Sequence, residues 1–151
     1  SGILSMIASR LGAGFVHGLD IDELAVRASE ENAKLNHMSE DKIKFSCGNL
    51  LADNYIGKGT TFQLDRSSIK ETQHLEVDRQ YDIVVANILA DVIVPLSAVI
   101  GPYLKQDGYF ITSGILDVKE KDVTDAMLAN GFEVLDVVHM NDWVSVIGRK
   151  K

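Results

Sequence analysis

The sequence predicts an α/β fold with a mostly parallel sheet, and two observations lead to that prediction. Short apolar runs alternate with stretches in which apolar residues recur at helical spacing, in the order αβαβ, a long connection, then βαβαββ. This alternation is typical of parallel sheets with helices on both faces. The last two runs, Phe132–Val138 and Trp143–Ile147, are separated by a short turn only, which predicts an antiparallel final pair.

The first third of the chain supplies two helices and two strands. Apolar residues recur at helical spacing between Ile3 and Leu11, and Phe15–Leu19 follows as a short buried strand. Asp22 is a suitable N-cap for the second helix, which we expect to end near Asn36. Ile43–Cys47 is the second strand. We expect the second helix to bury the side chains of Leu24, Ala25, Ala28 and Leu35.

Regular alternation resumes after a long polar connection, Asp53–Gln80, in which Thr60–Leu64 could form an extra strand. Tyr81–Ala86 is a predicted strand. Pro95 is tolerable in the following helix if it lies in the first turn. The later elements are a buried strand at Tyr109–Thr112, a helix capped by Asp117 and closed at Asn130-Gly131, and the final strand pair.

A parallel sheet of this kind normally begins with a strand, and here that strand would precede Ser1. We therefore expect residues 1–151 to form one domain that is truncated at its N-terminus and lacks its first, central strand. A length of 151 residues fits a single domain.

Composition excludes several classes of function. The net charge is −7, and the absence of a lysine- or arginine-rich block argues against binding to nucleic acid but leaves a basic protein partner compatible. No apolar run approaches the ~20 residues that span a bilayer, so we expect no membrane association. The single cysteine, Cys47, fits a cytoplasmic location and is expected to be a core thiol. The four histidines have no metal-ligand spacing, so no metal is expected.

Polar side chains follow the predicted strands, where open α/β sheets bind ligands. Gly2 is suited to a turn after a first strand, and Asp20 lies eighteen residues later, where an acid can accept hydrogen bonds from ribose hydroxyls. Ile21 could pack on an adenine ring. Asn49 and Leu50 follow the next strand and could bond the adenine edge through a side chain and the backbone respectively.

Asn87 ends the strand that begins at Tyr81, and it offers carbonyl oxygens that could orient a neutral amine for attack on a methyl group. The alternatives are structural: Gly2 as an ordinary N-terminal glycine, Asp20 as a solvent-exposed acid, Asn49 as a turn residue and Asn87 as a helix cap. Ser113 and Gly114 end a later strand, where small residues could make room for an incoming side chain. Trp143 could line the substrate entrance or pack in the core.

Six segments carry a family resemblance through their order and spacing: Ser1–Ser5, Gly18–Asp22, Glu31–Ala33, Val84–Ala90, Thr112–Leu116 and Asn141–Val144. With these segments the chain resembles the catalytic domain of the PrmA-type ribosomal protein methyltransferases. The resemblance covers almost the whole chain outside Asp53–Gln80. Other amine or amide methyltransferases usually have Pro-Pro after the Asn, where this sequence has Ile88-Leu89, which favours the PrmA type.

The resemblance implies a Rossmann-like class I enzyme that uses S-adenosyl-L-methionine to methylate lysines and the N-terminal amine of the large-subunit stalk-base protein. It implies cofactor contacts from Gly2, Asp20, Ile21, Asn49, Leu50 and Asn87, and substrate contacts from Ile88, Leu89, Ser113, Gly114 and Trp143. An upstream substrate-recognition domain is expected in the parent chain. Two alternatives stay open: a nicotinamide-dependent dehydrogenase, which shares the strand, glycine and acid pattern, and a non-catalytic nucleotide-binding module.

Overall fold

The structure is a computed structural model that describes residues 1–51 and 79–151. The first of these ranges belongs to one compact unit and the second to another, so each unit is described separately. Nearly all of the predicted connection Asp53–Gln80, including the possible strand Thr60–Leu64, lies outside the described residues.

Residues 1–51, the described part of the first unit, form two helices that alternate with two parallel strands. Val16 is the register partner of Ile43 at one end of the strand pair, and Asp20 is the partner of Cys47 at the other. Both strands therefore end at the same edge, as the sequence predicts. The elements are α1 (Ile3–Arg10), β1 (Val16–Asp20), α2 (Glu23–Leu35) and β2 (Ile43–Cys47).

The α2 helix begins as the sequence predicts but buries a different face. The carboxylate of Asp22 accepts a 2.8 Å hydrogen bond from the backbone N–H of Leu24, which confirms the N-cap. The predicted burial of Leu24, Ala28 and Leu35 is wrong: all three residues are exposed, Leu24 by 62% and Leu35 by 76%. Small residues lie inward instead, and the unit's core comprises Met6, Ala33 and Ile43 with Val16, Met38 and Phe45 packed against them.

The second unit is a four-stranded sheet with two helices in the connections. Its elements are β3 (Tyr81–Asn87), α3 (Ala90–Val99), β4 (Leu104–Leu116), α4 (Glu120–Ala129), β5 (Phe132–Met140) and β6 (Trp143–Lys150), with 3₁₀ turns at Gly101–Tyr103 and Asp117–Lys119. The strand order is β3-β4-β6-β5.

The final strand, β6, runs antiparallel to both of its neighbours, whereas β3 and β4 are parallel. The predicted α/β class with an antiparallel last strand is thus confirmed. The rings of Phe110 and Phe132 lie 5.6 Å apart, centre to centre, and both residues are fully buried. The other fully buried apolar side chains are Ile93, Ile100, Leu104, Ile115, Val123, Met127, Val144 and Val146.

Two further local predictions are wrong, and the first-turn position considered for Pro95 is not the one observed. Pro95 lies in the second turn of α3, where it removes a helix hydrogen bond, yet Ile93 and Leu96 beside it are buried. Asp117 does not cap α4; its carboxylate accepts from the N–H of Val118 within a 3₁₀ turn. Cys47 is exposed at the last position of β2 and is not a core thiol.

Within the described residues, no helix is long and apolar enough to cross a membrane.

Candidate active site

Asn87 is the last residue of β3, and the sheet fixes its backbone. It is the register partner of Ser113 in the parallel ladder with β4. The N–H of the next residue, Ile88, donates a 3.2 Å hydrogen bond to the carbonyl of Ser113, so pairing continues one step beyond the strand. The backbone at Asn87 is therefore held at the carboxyl edge of the sheet while its side chain is exposed.

The side chain of Asn87 does not cap the helix that follows. The N-cap of α3 is Leu89, and no side chain bonds the first turn of that helix. Across residues 1–51 and 79–151, the structure gives the Asn87 carboxamide no hydrogen-bond partner. Asn87 is therefore not the helix cap that was the structural alternative. Its side-chain oxygen can accept a hydrogen bond from a ligand, and its amino group can donate one.

A cavity of about 290 Å³ opens beside Asn87. Among the described residues, its lining also includes Ser113, Gly114 and Trp143, three of the residues expected at the substrate site, so the structure brings these three together with Asn87. The side chain of Trp143 is 51% exposed, which excludes the alternative of full burial in the core. Ile88 and Leu89 are also exposed, by 40% and 51%.

Two hydroxyl groups near the cavity form hydrogen bonds that sequence reasoning did not predict. The Thr112 hydroxyl, which is fully buried, donates to the carbonyl of Val146 at 3.1 Å. The Ser145 hydroxyl donates to the carbonyl of Thr112 at 2.8 Å. Thr112 belongs to a segment that carries the family resemblance, but nothing in the local sequence distinguishes Ser145 from an ordinary strand residue.

In the first unit, Asp20 ends β1 with an exposed, oriented carboxylate. One of its oxygens, Oδ1, accepts a 3.0 Å hydrogen bond from the N–H of Asp22, and its carbonyl accepts from the N–H of Gly48. No bond within the described ranges occupies the other carboxylate oxygen. Ile21 follows directly, and its carbonyl accepts a bond from the Cys47 thiol at 3.5 Å.

Gly2 begins α1 in the left-handed region, with φ of 72°. A Cβ at this position would lie 2.9 Å from both the Phe45 ring and the Ser29 side chain, so only glycine fits. The turn is also held by Asn32, whose side-chain amide donates to the carbonyl of Ser1 at 3.0 Å. The sequence pattern does not identify Asn32 as the residue that holds this turn, although its segment Glu31–Ala33 carries part of the resemblance.

Asn49 has a structural role in its turn. Its side-chain oxygen accepts a 3.0 Å hydrogen bond from the N–H of Leu51, and this oxygen is the atom that an adenine amino group would need. Leu50 between them is partly buried.

The candidate residues thus fall into two groups. Gly2, Asp20, Ile21, Asn49 and Leu50 lie in the first unit, and Asn87, Ser113, Gly114 and Trp143 lie in the second. The convergence of Asp20 and Asn87 on one crevice stays a prediction. No set of three metal-ligating side chains is assembled in the part of the chain that the structure describes.

The family model described as "Ribosomal protein L11 methyltransferase (PrmA)" matches residues 1–151. The ribosomal protein L11 methyltransferase of Agathobacter rectalis is 41% identical over 150 residues, covering 99% of this chain and 42% of that protein. That of Lachnoclostridium phytofermentans is 40% identical and covers 99% and 44%. The chain therefore spans about two fifths of the length of these curated relatives.

Solved structures agree with the fold. The crystal structure of the ribosomal protein L11 methylase from Lactobacillus delbrueckii subsp. bulgaricus has a TM-score of 0.78 at 29% identity, covering 99% of this chain and 65% of that one. An RNA methyltransferase from Salinibacter ruber, solved with S-adenosyl-L-homocysteine, has a TM-score of 0.60 at 16% identity and covers 98% and 73%. The chain belongs to the ribosomal protein L11 methyltransferase (PrmA) family, and its fold is the Rossmann-like fold of class I methyltransferases.

Proposed function

We propose that the full-length protein transfers methyl groups from S-adenosyl-L-methionine to amines of ribosomal protein L11, including lysine side chains and the N-terminal amine. The observation that carries the proposal is the exposed carboxamide of Asn87, which caps no helix and lines a cavity with Ser113, Gly114 and Trp143. The names of the family and of its curated members supply the methyl acceptor.

The residues of the first unit fit the proposed cofactor. Asp20 has a carboxylate oxygen that is suited to ribose hydroxyl donors, and the bond from Asp22 fixes its orientation. Gly2 begins a helix whose first N–H groups have no partner within that helix, an arrangement that favours an anionic group such as a carboxylate. We assign the adenine contacts to Ile21, Asn49 and Leu50.

When bound, S-adenosylmethionine supplies a methyl group that is already activated on a sulfonium sulfur. The protein's task is then to place the acceptor amine in line with that methyl. We assign this task to Asn87, whose side-chain and backbone oxygens can accept hydrogen bonds from the amine and aim its lone pair. Ser113, Gly114 and Trp143 would surround the incoming side chain, with Ile88 and Leu89 beside them.

The acceptor must be neutral when it reacts. A lysine amine with an ordinary pKa near 10.4 is neutral in roughly one molecule in 2,500 at pH 7. Partial removal of water from the amine at the cavity wall favours loss of that proton, because water stabilises the charged form. Asn87 cannot take up the proton, so we assign it an orienting role and no role as a base.

Charge and length support the remaining parts of the proposal. A net charge of −7 favours encounter with a basic ribosomal protein, which would be met in the cytoplasm. The curated relatives are more than twice as long as the matched region. We therefore propose that residues 1–151 are the catalytic domain and that a separate upstream domain recognises the substrate.

Calorimetric titration tests the cofactor directly. We expect the full-length protein to bind S-adenosylhomocysteine saturably and to release no heat with NAD. Heat with NAD alone would favour a dehydrogenase and overturn the proposal.

A methylation assay separates an enzyme from a non-catalytic binding module. Purified ribosomal protein L11 is incubated with the protein and S-adenosylmethionine carrying a labelled methyl group, and mass spectrometry locates the label. We expect label on lysine and N-terminal amines. Binding of S-adenosylhomocysteine without any transfer would leave only a binding function.

A further inference from the structure

The strand β4 contains a bulge beside the cavity. Thr112 pairs with Val146 of β6, and Ile115 pairs with Val144, so Ser113 and Gly114 together lie opposite the single residue Ser145. A bulge of this kind redirects the chain locally and is common next to active sites. Gly114 has a φ of 77°, a left-handed conformation that favours glycine.

Gly114 lies against the carboxamide of Asn87. A Cβ built on Gly114 would be 2.8 Å from the Asn87 side-chain oxygen, 3.1 Å from the carbonyl oxygen of Ile88 and 3.4 Å from the N–H nitrogen of Ile88. The first distance is shorter than the van der Waals contact of carbon and oxygen. Any side chain at position 114 would therefore push the Asn87 oxygen out of its present position.

The bulge is held on both of its sides. Towards β3, the carbonyl of Ser113 accepts the hydrogen bond from Ile88. Towards β6, Thr112 and Ser145 each donate a hydroxyl hydrogen bond across the strand pair. Because these bonds fix the backbone before and at the bulge, Gly114 cannot retreat freely from Asn87.

We propose that Gly114 is a positioning residue for Asn87: its missing Cβ leaves the space in which the Asn87 oxygen sits. The catalytic consequence of this role rests on the proposed function, but the contact itself does not. The role differs from making room for the substrate side chain, which is the function that the sequence predicts for Gly114. A substrate-space role affects mainly KM, whereas a positioning role affects mainly kcat.

A double-mutant cycle tests the contact without reference to catalysis. The variants are Gly114→Ala, Asn87→Ala and the combination, and the measurement is the melting temperature of the full-length protein. We expect Gly114→Ala to lower Tm more in the parent than in the Asn87→Ala background, where the oxygen that a Cβ would meet is absent. Equal losses in the two backgrounds would overturn the proposal.

Gly131→Ala is the matched control for backbone strain. Gly131 also has a positive φ, 85°, but a Cβ there would meet nothing within 4 Å. We expect this variant to lose stability from strain alone, to show no coupling to Asn87→Ala and to keep its kcat. Coupling of the same size at Gly131 would show that the cycle reports strain, and it would overturn the proposal.

Kinetics with S-adenosylmethionine and ribosomal protein L11 test the positioning role. We expect Gly114→Ala to lower kcat by about tenfold to a hundredfold with little change in KM. A raised KM with unchanged kcat would assign Gly114 to substrate space and overturn the proposal. If the parent protein transfers no methyl group, the proposed function fails. The double-mutant cycle on Tm then remains as the test of the contact between Gly114 and Asn87.

If Gly114→Ala does not fold, the combined variant Gly114→Ala/Asn87→Ala still tests the contact between the two residues. Recovery of a folded protein on adding Asn87→Ala supports the contact, and failure to recover overturns it.

Discussion

Asn87 and Ser113 form the last register pair of the parallel ladder between β3 and β4. The sheet therefore fixes the backbone of Asn87, while no described neighbour bonds its carboxamide. A polar side chain on a rigid backbone, with no described protein group bonded to it, is suited to binding a ligand and contributes little to the stability of the fold. A substitution of Asn87 can therefore change activity without changing stability, and the two effects can be measured separately.

We expect Asn87→Ala to lower kcat by about a hundredfold, because the acceptor amine loses its alignment, and to leave Tm nearly unchanged. Steady-state kinetics and thermal unfolding measure the two quantities. Asn130→Ala is the matched control, since the Asn130 amide bonds the carbonyl of Ala126 at the end of α4. That variant should lower Tm and leave kcat unchanged. A large loss of stability at Asn87 would instead assign it a structural role.

We expect removal of the Asp20 carboxylate to weaken cofactor binding without unfolding the protein. Asp20→Asn keeps the oxygen that accepts from Asp22 but loses the charge, so Kd for S-adenosylhomocysteine should rise about tenfold, and about a hundredfold for Asp20→Ala. Calorimetric titration measures both. Asp22→Asn retains a good helix cap and should leave Kd unchanged. Unchanged affinity in Asp20→Ala would remove Asp20 from the ribose role.

We expect Thr112→Val to cost about 1–3 kcal/mol of unfolding free energy, because the carbonyl of Val146 loses its buried donor. Urea denaturation monitored by circular dichroism gives the value. Thr124→Val is the control: its hydroxyl bonds carbonyls within α4 at a partly buried position, so its loss should stay below about 0.5 kcal/mol. Equal costs at the two positions would contradict the importance of the bond across β4 and β6.

The salt bridge between Lys105 and Asp82 gives a prediction on pH dependence. The Lys105 ammonium donates to both Asp82 oxygens, at 2.8 and 2.9 Å, and holds the pKa of that carboxyl below its ordinary value of 3.8. A depressed pKa in the folded state adds stability above the unfolded pKa, and that stability is lost as pH falls through the folded pKa.

Lys105→Met should raise the pKa of Asp82 towards its ordinary value, which a carboxyl-detected NMR titration between about pH 2 and pH 6 would measure. Lys121→Met, which removes a lysine paired with Asp125, should leave the pKa of Asp82 unchanged. Both partners are largely exposed, so little change in stability is expected at neutral pH. An Asp82 pKa that does not respond to Lys105→Met would contradict the assigned cause.

The sequence was informative about where strands end. Asp20, Asn49 and Asn87 were each predicted at or just beyond the carboxyl end of a strand, and all three lie there. Local pattern suffices for such predictions because an apolar run and its polar end are contiguous. The same pattern could not show that the oxygen of Asn49 bonds Leu51 or that Asn87 caps no helix. Those outcomes depend on side-chain geometry.

The sequence by itself determined the order of helices and strands, the antiparallel final pair and the family resemblance. Only the tertiary structure decided that β6 lies between β4 and β5, that Cys47 and Leu24 are exposed, and that Gly114 lies against Asn87. The physical reason is that these features depend on residues far apart along the chain. Ser145, for example, bonds the carbonyl of Thr112, 33 positions away. The pairing register between two strands is set by how the segments pack together, and no local sequence pattern contains that information.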